Sequence, residues 1–269
     1  MRTGSKYLRT IVGAISAIAL FAIRPCGPSA VAFASDFYEL QMYTANTVPQ
    51  GHLMIELHTN NLMAAQGNAK QELPIYQYHN TVEFTYGLLP WLEVGQYVCT
   101  GELGTGTYQY AGARSKVHFG VPQTDSWPIK FGGNIEFQYM RHAAVDDPLN
   151  VEFMLIAQGY AGHFFLVANP TFEKQFSGPG THGGISFGPQ GAISYRLRGK
   201  WNWLEPALEY YGDTGPVTHS HGFNHQQQFI VPGFNLYLDP RLEFNFGGGF
   251  GIPGTLTAQF VKATIGWEL

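Results

Sequence analysis

The sequence predicts an all-β protein: an antiparallel transmembrane β-barrel of about twelve strands that follows a cleaved signal peptide. Three observations lead there. Residues 81–100, TVEFTYGLLPWLEVGQYVCT, alternate apolar and polar residues on two arms around a short Leu89-Pro90 corner, which is the pattern of an antiparallel hairpin. Similar stretches recur through the chain, joined by connections that alternate short and long, as in outer-membrane barrels with short periplasmic turns. Only 13% of the residues are charged while 15% are aromatic, against about 25% charged in soluble domains.

The N-terminus reads as a secretory signal over residues 1–34. Arg2, Lys6 and Arg9 precede the apolar run Ile11–Ile23, and Ala32-Phe33-Ala34 forms a small-x-small cleavage site. The run is too short to span a bilayer comfortably as a helix. Losing Arg2, Lys6, Arg9 and Arg24 leaves 11 basic against 19 acidic side chains, a net charge of about −8. Nothing in that balance suits nucleic acid, so no nucleic-acid partner is expected. Cys99 then remains without a second cysteine, so stability must come from something other than a disulfide framework. A closed, hydrogen-bonded barrel supplies it.

Residues 35–50 read as a short periplasmic segment, because Asp36–Tyr43 alternates only briefly and Thr44–Gln50 looks like a turn. The barrel is expected over residues 51–269. Its strands are read at His52–Thr59, Tyr78–Leu88, Leu92–Thr100, Ala111–Val121, Ile129–Arg141 and Asn150–Gln158, then at Phe164–Glu173, Ile185–Arg198, Asn202–Tyr211, Phe229–Tyr237, Leu242–Gly249 and Thr255–Leu269. Trp91, Trp127, Trp201 and Trp203 lie beside short turns and Trp267 lies near the last residue. In this topology all five fall on one rim, where indole favours the membrane interface. Trp91-Leu92-Glu93, Trp203-Leu204-Glu205 and Arg241-Leu242-Glu243 each open a strand with Leu toward lipid and Glu toward the lumen.

The last strand alternates Val261, Ala263, Ile265, Trp267 and Leu269 with Lys262, Thr264, Gly266 and Glu268. An amphipathic strand at the end of a chain leaves an open edge unless another strand covers it. Pairing with the first strand would close the barrel. Thr255–Leu269 also resembles the C-terminal signal of bacterial outer-membrane proteins, which implies the barrel-insertion machinery as a partner, although Leu269 stands where an aromatic is usual.

The stretch Tyr86-Gly87-Leu88-Leu89-Pro90-Trp91-Leu92-Glu93-Val94-Gly95 resembles the Tyr-Gly-Leu-Thr-Asp-x-Leu-Glu-Val-Gly hairpin of certain Gram-negative outer-membrane barrels. These include the MetA-type group linked to phenol degradation. Leu89-Pro90 replaces the usual Thr-Asp corner. The resemblance implies an outer-membrane location, contact with outer-membrane lipid, and an uptake or transport role.

Alternation assigns Glu56, Glu83, Glu93, Arg114, Lys116, Lys130, Glu136, Glu173, Arg196, Glu205, Glu209, Glu243 and Lys262 to the lumen. Two readings of these charges stand side by side: ion pairs that fill a narrow interior, or a polar pathway selecting a small solute. His58 and His79 share the lumen face with Glu56 and Glu83, which raises a metal site or an acid–base pair acting on outer-leaflet lipid. His219, His221 and His225, spaced H-x-H-x3-H, are candidate zinc or copper ligands on an outer loop. The alternative is a solvated polar loop. Gly247-Gly248-Gly249 lies in a strand with no helix after it and reads as a bend rather than a phosphate loop. No cofactor is expected. The expected function is passive or facilitated passage of a small solute. A lipid-acting hydrolase built on His58 or His79 and a closed structural barrel are the alternatives.

Overall fold

The computed structural model describes residues 37–65, 78–103, 107–123 and 127–269. The signal peptide expected over 1–34 and residues 35 and 36 lie outside these. Fourteen strand segments form one sheet: β1 Leu53–Ala65, β2 Tyr78–Leu89, β3 Leu92–Leu103, β4 Thr107–Gly120, β5 Ile129–Met140, β6 Leu149–Ala161 and β7 Phe164–Ala168. The remainder are β8 Thr171–Gln175, β9 Ile185–Gly188, β10 Gln190–Tyr195, β11 Leu204–Asp213, β12 Gln227–Asp239, β13 Leu242–Gly251 and β14 Ala258–Glu268. The strands pair antiparallel, and β14 pairs with β1 from Met54↔Glu268 to Ala65↔Ala258. The sheet is therefore a closed barrel, and no edge remains for a sandwich to expose.

The fourteen segments make twelve staves. β7 and β8 both pair with β6, and on the other side they pair with β10 and β9. Each half of this pair of staves is interrupted by a proline, Pro170 or Pro189. The sequence reading had both as unbroken strands. Proline has no N–H to give the ladder, yet its carbonyl still serves: Pro170 O accepts from Leu155 N at 3.0 Å and Pro189 O from Gly212 N at 2.9 Å.

Side-chain direction follows the two-residue period. Along β2, His79, Thr81, Glu83 and Thr85 are buried while Phe84, Tyr86 and Leu88 are more than 40% exposed. Along β14, Phe260, Lys262 and Thr264 are buried while Ile265 and Trp267 face outward. Leu57, Phe131, Phe137, Leu155, Leu208 and Ile230 continue the exposed apolar surface around the barrel. Polar inside and apolar outside is the inverse of a soluble protein and the pattern of a bilayer-spanning barrel. Trp91, Trp127, Trp201 and Trp267 are each about half exposed at the short-turn end, as an interfacial girdle requires.

The residues before β1 correct one expectation. Of the segment read as periplasmic over 35–50, the described residues 37–50 run through the barrel instead. Phe37, Tyr38, Leu40 and Tyr43 are each at most 5% exposed, and the main chain bonds to lumen side chains along its length. Asn60 Nδ2 donates to Phe37 O at 2.8 Å, and Thr81 Oγ1 to Tyr38 O at 2.8 Å. Lower down, Ala45 N donates to Gln158 Oε1 and Val48 N to Glu93 Oε2, both at 2.5 Å. The segment descends from the long-loop end to the short-turn end and reverses into β1 through Gly51, whose φ is 87°. The physical reason is solvation. Extended backbone inside a barrel must bond to the wall, and the wall offers amides, hydroxyls and carboxylates at those heights.

Wall glycines make the room. A side chain at Gly87 or Gly120 would run into the carbonyl of Pro49 or Ala45, respectively. Gly249 likewise leaves space for the Phe260 ring. The Gly247–Gly249 run, read as a bend, lies inside the continuous strand β13.

Candidate functional site: the lumen

At the long-loop end the lumen is filled by apolar side chains. Phe37 and Leu40 of the inner segment pack with Leu62, Tyr211, Phe229, Val231, Leu256 and Phe260. Ring centroids lie 5.3 Å apart for Phe37–Phe260 and for Phe229–Phe260, and 6.1 Å for Phe37–Phe229. The arrangement is the edge-to-face packing that aromatic pairs favour.

Midway along the lumen lies a charged layer. Lys116 contacts Glu83 closely and Glu93 at 3.5 Å, with its ammonium 5.0 Å from the Tyr43 ring centroid and 5.6 Å from that of Tyr97. Glu93 also meets His118 Nδ1 at 2.8 Å. Arg114 Nη1 lies 3.2 Å from Glu39 and 3.7 Å from Glu136. The Tyr43 hydroxyl touches the Glu39 carboxylate and lies 2.8 Å from the Tyr97 hydroxyl. Glu39 belongs to the inner segment, so the wall cation Arg114 holds that segment directly. Each charge here has an opposite charge or a hydrogen bond, which a buried charge requires.

Toward the short-turn end the lumen opens into a cavity of about 400 Å³. One side is the inner segment from Gln41 to Pro49; around it stand wall residues of β1–β4, β7 and β10–β14. Carboxylates dominate it. Glu209 is paired with Lys262 at 2.5 Å. Glu205 is held by neutral donors only, Ser194 Oγ at 2.7 Å and Asn235 Nδ2 at 3.1 Å. Glu243 sits exposed at the mouth. Among the described residues neither Glu205 nor Glu243 has a basic partner within ion-pair reach.

Of the thirteen charges assigned to the lumen, ten are buried within it: Glu56, Glu83, Glu93, Arg114, Lys116, Glu136, Glu173, Glu205, Glu209 and Lys262. Lys130 and Glu243 are on the same face by register, and Arg196 lies just past β10, two residues after buried Ser194; all three are exposed at the short-turn rim. Arg196 lies over the Tyr237 ring, 4.2 Å from its centroid. Sequence reasoning missed Glu39, His118 and Glu152. Glu152 pairs in register with Glu136 and Glu173; Met154 and Ile156 on the same face blurred the alternation that would have marked it.

The histidines separate differently from expectation. His219 and His225 are exposed and His221 is partly buried, and the three do not gather as ligands. Among the described residues the one group of three or more His, Cys, Asp or Glu ligand atoms that approach within 4.8 Å of one another is Glu56, His58 and Glu83. The loop turns at Gly215, whose φ is 77°, and His225 ends a short 3-10 turn at Phe223–His225. His58 and His79 are each 1% exposed. His79 lies under Phe37 and Tyr38, 5.8 and 4.6 Å between centroids. Neither imidazole reaches the lipid face, so neither is placed to attack an outer-leaflet lipid.

No protein-family model and no curated protein sequence matches the chain. The likeness to the MetA-type group therefore stays confined to its hairpin. Solved structures do match. The KdgM porin superposes with a TM-score of 0.54 at 6% identity, over 80% of this chain and 98% of that one. The NanC porin gives 0.52 at 8% identity, over 81% and 100%. At such identities the likeness is one of fold. With its closed twelve-stave sheet and apolar outer belt, the chain is similar in fold to the outer-membrane porin barrels.

Proposed function

We propose that the protein passes a small polar solute, neutral or positively charged, across the bacterial outer membrane, through a lumen that residues 37–50 hold closed. The observation that carries this is the cavity of about 400 Å³. It is lined by carboxylates, reaches the short-turn rim at Glu243 and Glu268, and extends inward to Lys116, Glu209 and Lys262 of the charged layer. A barrel that only needed filling would be packed along its whole length. Here one end is packed by Phe37 and Leu40 of the inner segment, and the other is an open, polar cavity. Glu205 and Glu243 give the wet end a negative field, which concentrates cations and repels anions.

Solute uptake by proteoliposomes tests the reading. Vesicles carrying a barrel with a weakened inner segment should swell in a neutral polyol or an ammonium compound faster than in a sulfonate of similar size. Equal swelling in all three would contradict the selectivity. No swelling from a folded barrel with the segment released would leave the closed structural barrel.

A further inference from the structure

We propose that Glu56, His58 and Glu83 form a binding site for a divalent transition-metal ion of the zinc class, completed by Gln41 of the inner segment. One imidazole nitrogen and two carboxylate oxygens, all on buried residues, lie within 4.8 Å of one another. His58 Nε2 and Glu83 Oε2 are 3.2 Å apart. Two ligands of a tetrahedral ion with bonds of about 2.0–2.1 Å stand about 3.3 Å apart, a spacing that these two hydrogen-bonded atoms already have.

The surroundings have the form of an outer coordination shell. Metal-bound imidazoles and carboxylates are oriented by bonds to their other atoms. His58 Nδ1 faces Thr264 Oγ1 at 3.4 Å. Glu83 Oε1 accepts from Thr85 Oγ1 at 2.5 Å and contacts Lys116. Nε2 and Oε2 are thereby turned toward the same point.

Gln41 supplies an independent observation. Its Nε2 is 3.5 Å from Glu56 Oε1, while its Oε1 is buried without a hydrogen-bond partner. A buried acceptor left without a donor is costly. Turning the amide over presents that oxygen toward Glu56, where an ion would use it. Charge points the same way: Glu83 and Glu93 share the single ammonium of Lys116, and Glu56 adds a third carboxylate to the same lining. Glu56 also lines the open cavity, which gives the ion a route in. The bound ion would tie β1 and β2 to the inner segment. This inference does not depend on solute passage.

The test is calorimetric titration of zinc chloride into the full chain in detergent after chelator treatment. One ion per barrel is expected, with a dissociation constant of roughly micromolar or tighter. Glu56→Gln, close in shape to the native side chain, and His58→Ala should each weaken binding by about tenfold or more. The combined His219→Ala, His221→Ala, His225→Ala variant should bind as before. Should His58→Ala fail to fold, Gln41→Ala on the inner segment should still show a few-fold loss. Cobalt in place of zinc should give the visible absorption of a tetrahedral site in the native chain and lose it in Glu56→Gln. No zinc binding by the native chain would overturn the proposal. So would binding that survives Glu56→Gln, or binding that disappears with the loop histidines.

Discussion

Asn169 holds Tyr43 by both sides of its amide: Tyr43 N donates to Asn169 Oδ1 at 2.9 Å, and Asn169 Nδ2 donates to Tyr43 O at 3.0 Å. Asn169 is 0% exposed and sits at the break between β7 and β8, where Pro170 interrupts the stave. The break turns a side chain into a substitute strand partner for the inner segment. Asn169→Ala leaves two backbone groups of Tyr43 without partners in a buried place, at about 1–3 kcal/mol each. The expected result is faster amide exchange and protease entry over residues 37–50, with the barrel itself intact. Unchanged protection of the segment would show that the pair does not hold it.

Lys116 is the counter-charge of the middle layer. Lys116→Met keeps the length of the side chain but leaves Glu83 and Glu93 without its ammonium. Removing one partner of a buried ion pair costs about 3–5 kcal/mol. Urea unfolding in detergent micelles should show a loss of that order. A loss under 1 kcal/mol would mean that the Lys116 ammonium does not hold the layer together.

Glu205 and Glu243 set the predicted charge preference, since among the described residues no basic side chain neutralises them. The double variant Glu205→Gln, Glu243→Gln should lower the cation-to-anion permeability ratio of a released barrel several-fold, read from the reversal potential in a salt gradient. Glu209→Gln should change it less, because Lys262 already offsets that charge. The opposite order would move the selective region elsewhere.

The tryptophan rim predicts depth. Trp91, Trp127, Trp201 and Trp267 should be quenched most strongly by lipids brominated near the headgroup and weakly by those brominated at the bilayer centre. Strongest quenching at the centre would displace the rim from the interface.

Much of the barrel is legible in the sequence, because two-residue alternation is a local signal and closure follows from the amphipathic last strand. The hairpin at Thr81–Thr100, the Leu-Glu strand openings and the parity of Lys262 all appear in the structure as read. The inner segment was not legible in the same way. It borrows hydrogen bonds from distant side chains, such as Asn169 and Gln158, so its own residues show no ladder-forming pattern. Its traces lie elsewhere, in apolar Phe37, Leu40 and Tyr43 outside any strand and in lumen-facing glycines such as Gly87 and Gly120. The metal grouping was half legible: alternation put Glu56, His58 and Glu83 on one face, but only the register His58↔Thr81 beside Glu56↔Glu83 brings them together.

The central claim is that residues 37–50 close the lumen, and single-channel recording in a planar bilayer tests it most directly. The native chain should give rare, brief openings. A variant lacking residues 37–50 should give long-lived discrete steps of larger conductance. Stable native openings equal to those of the deletion variant would contradict the claim, and so would a folded deletion variant that stays silent.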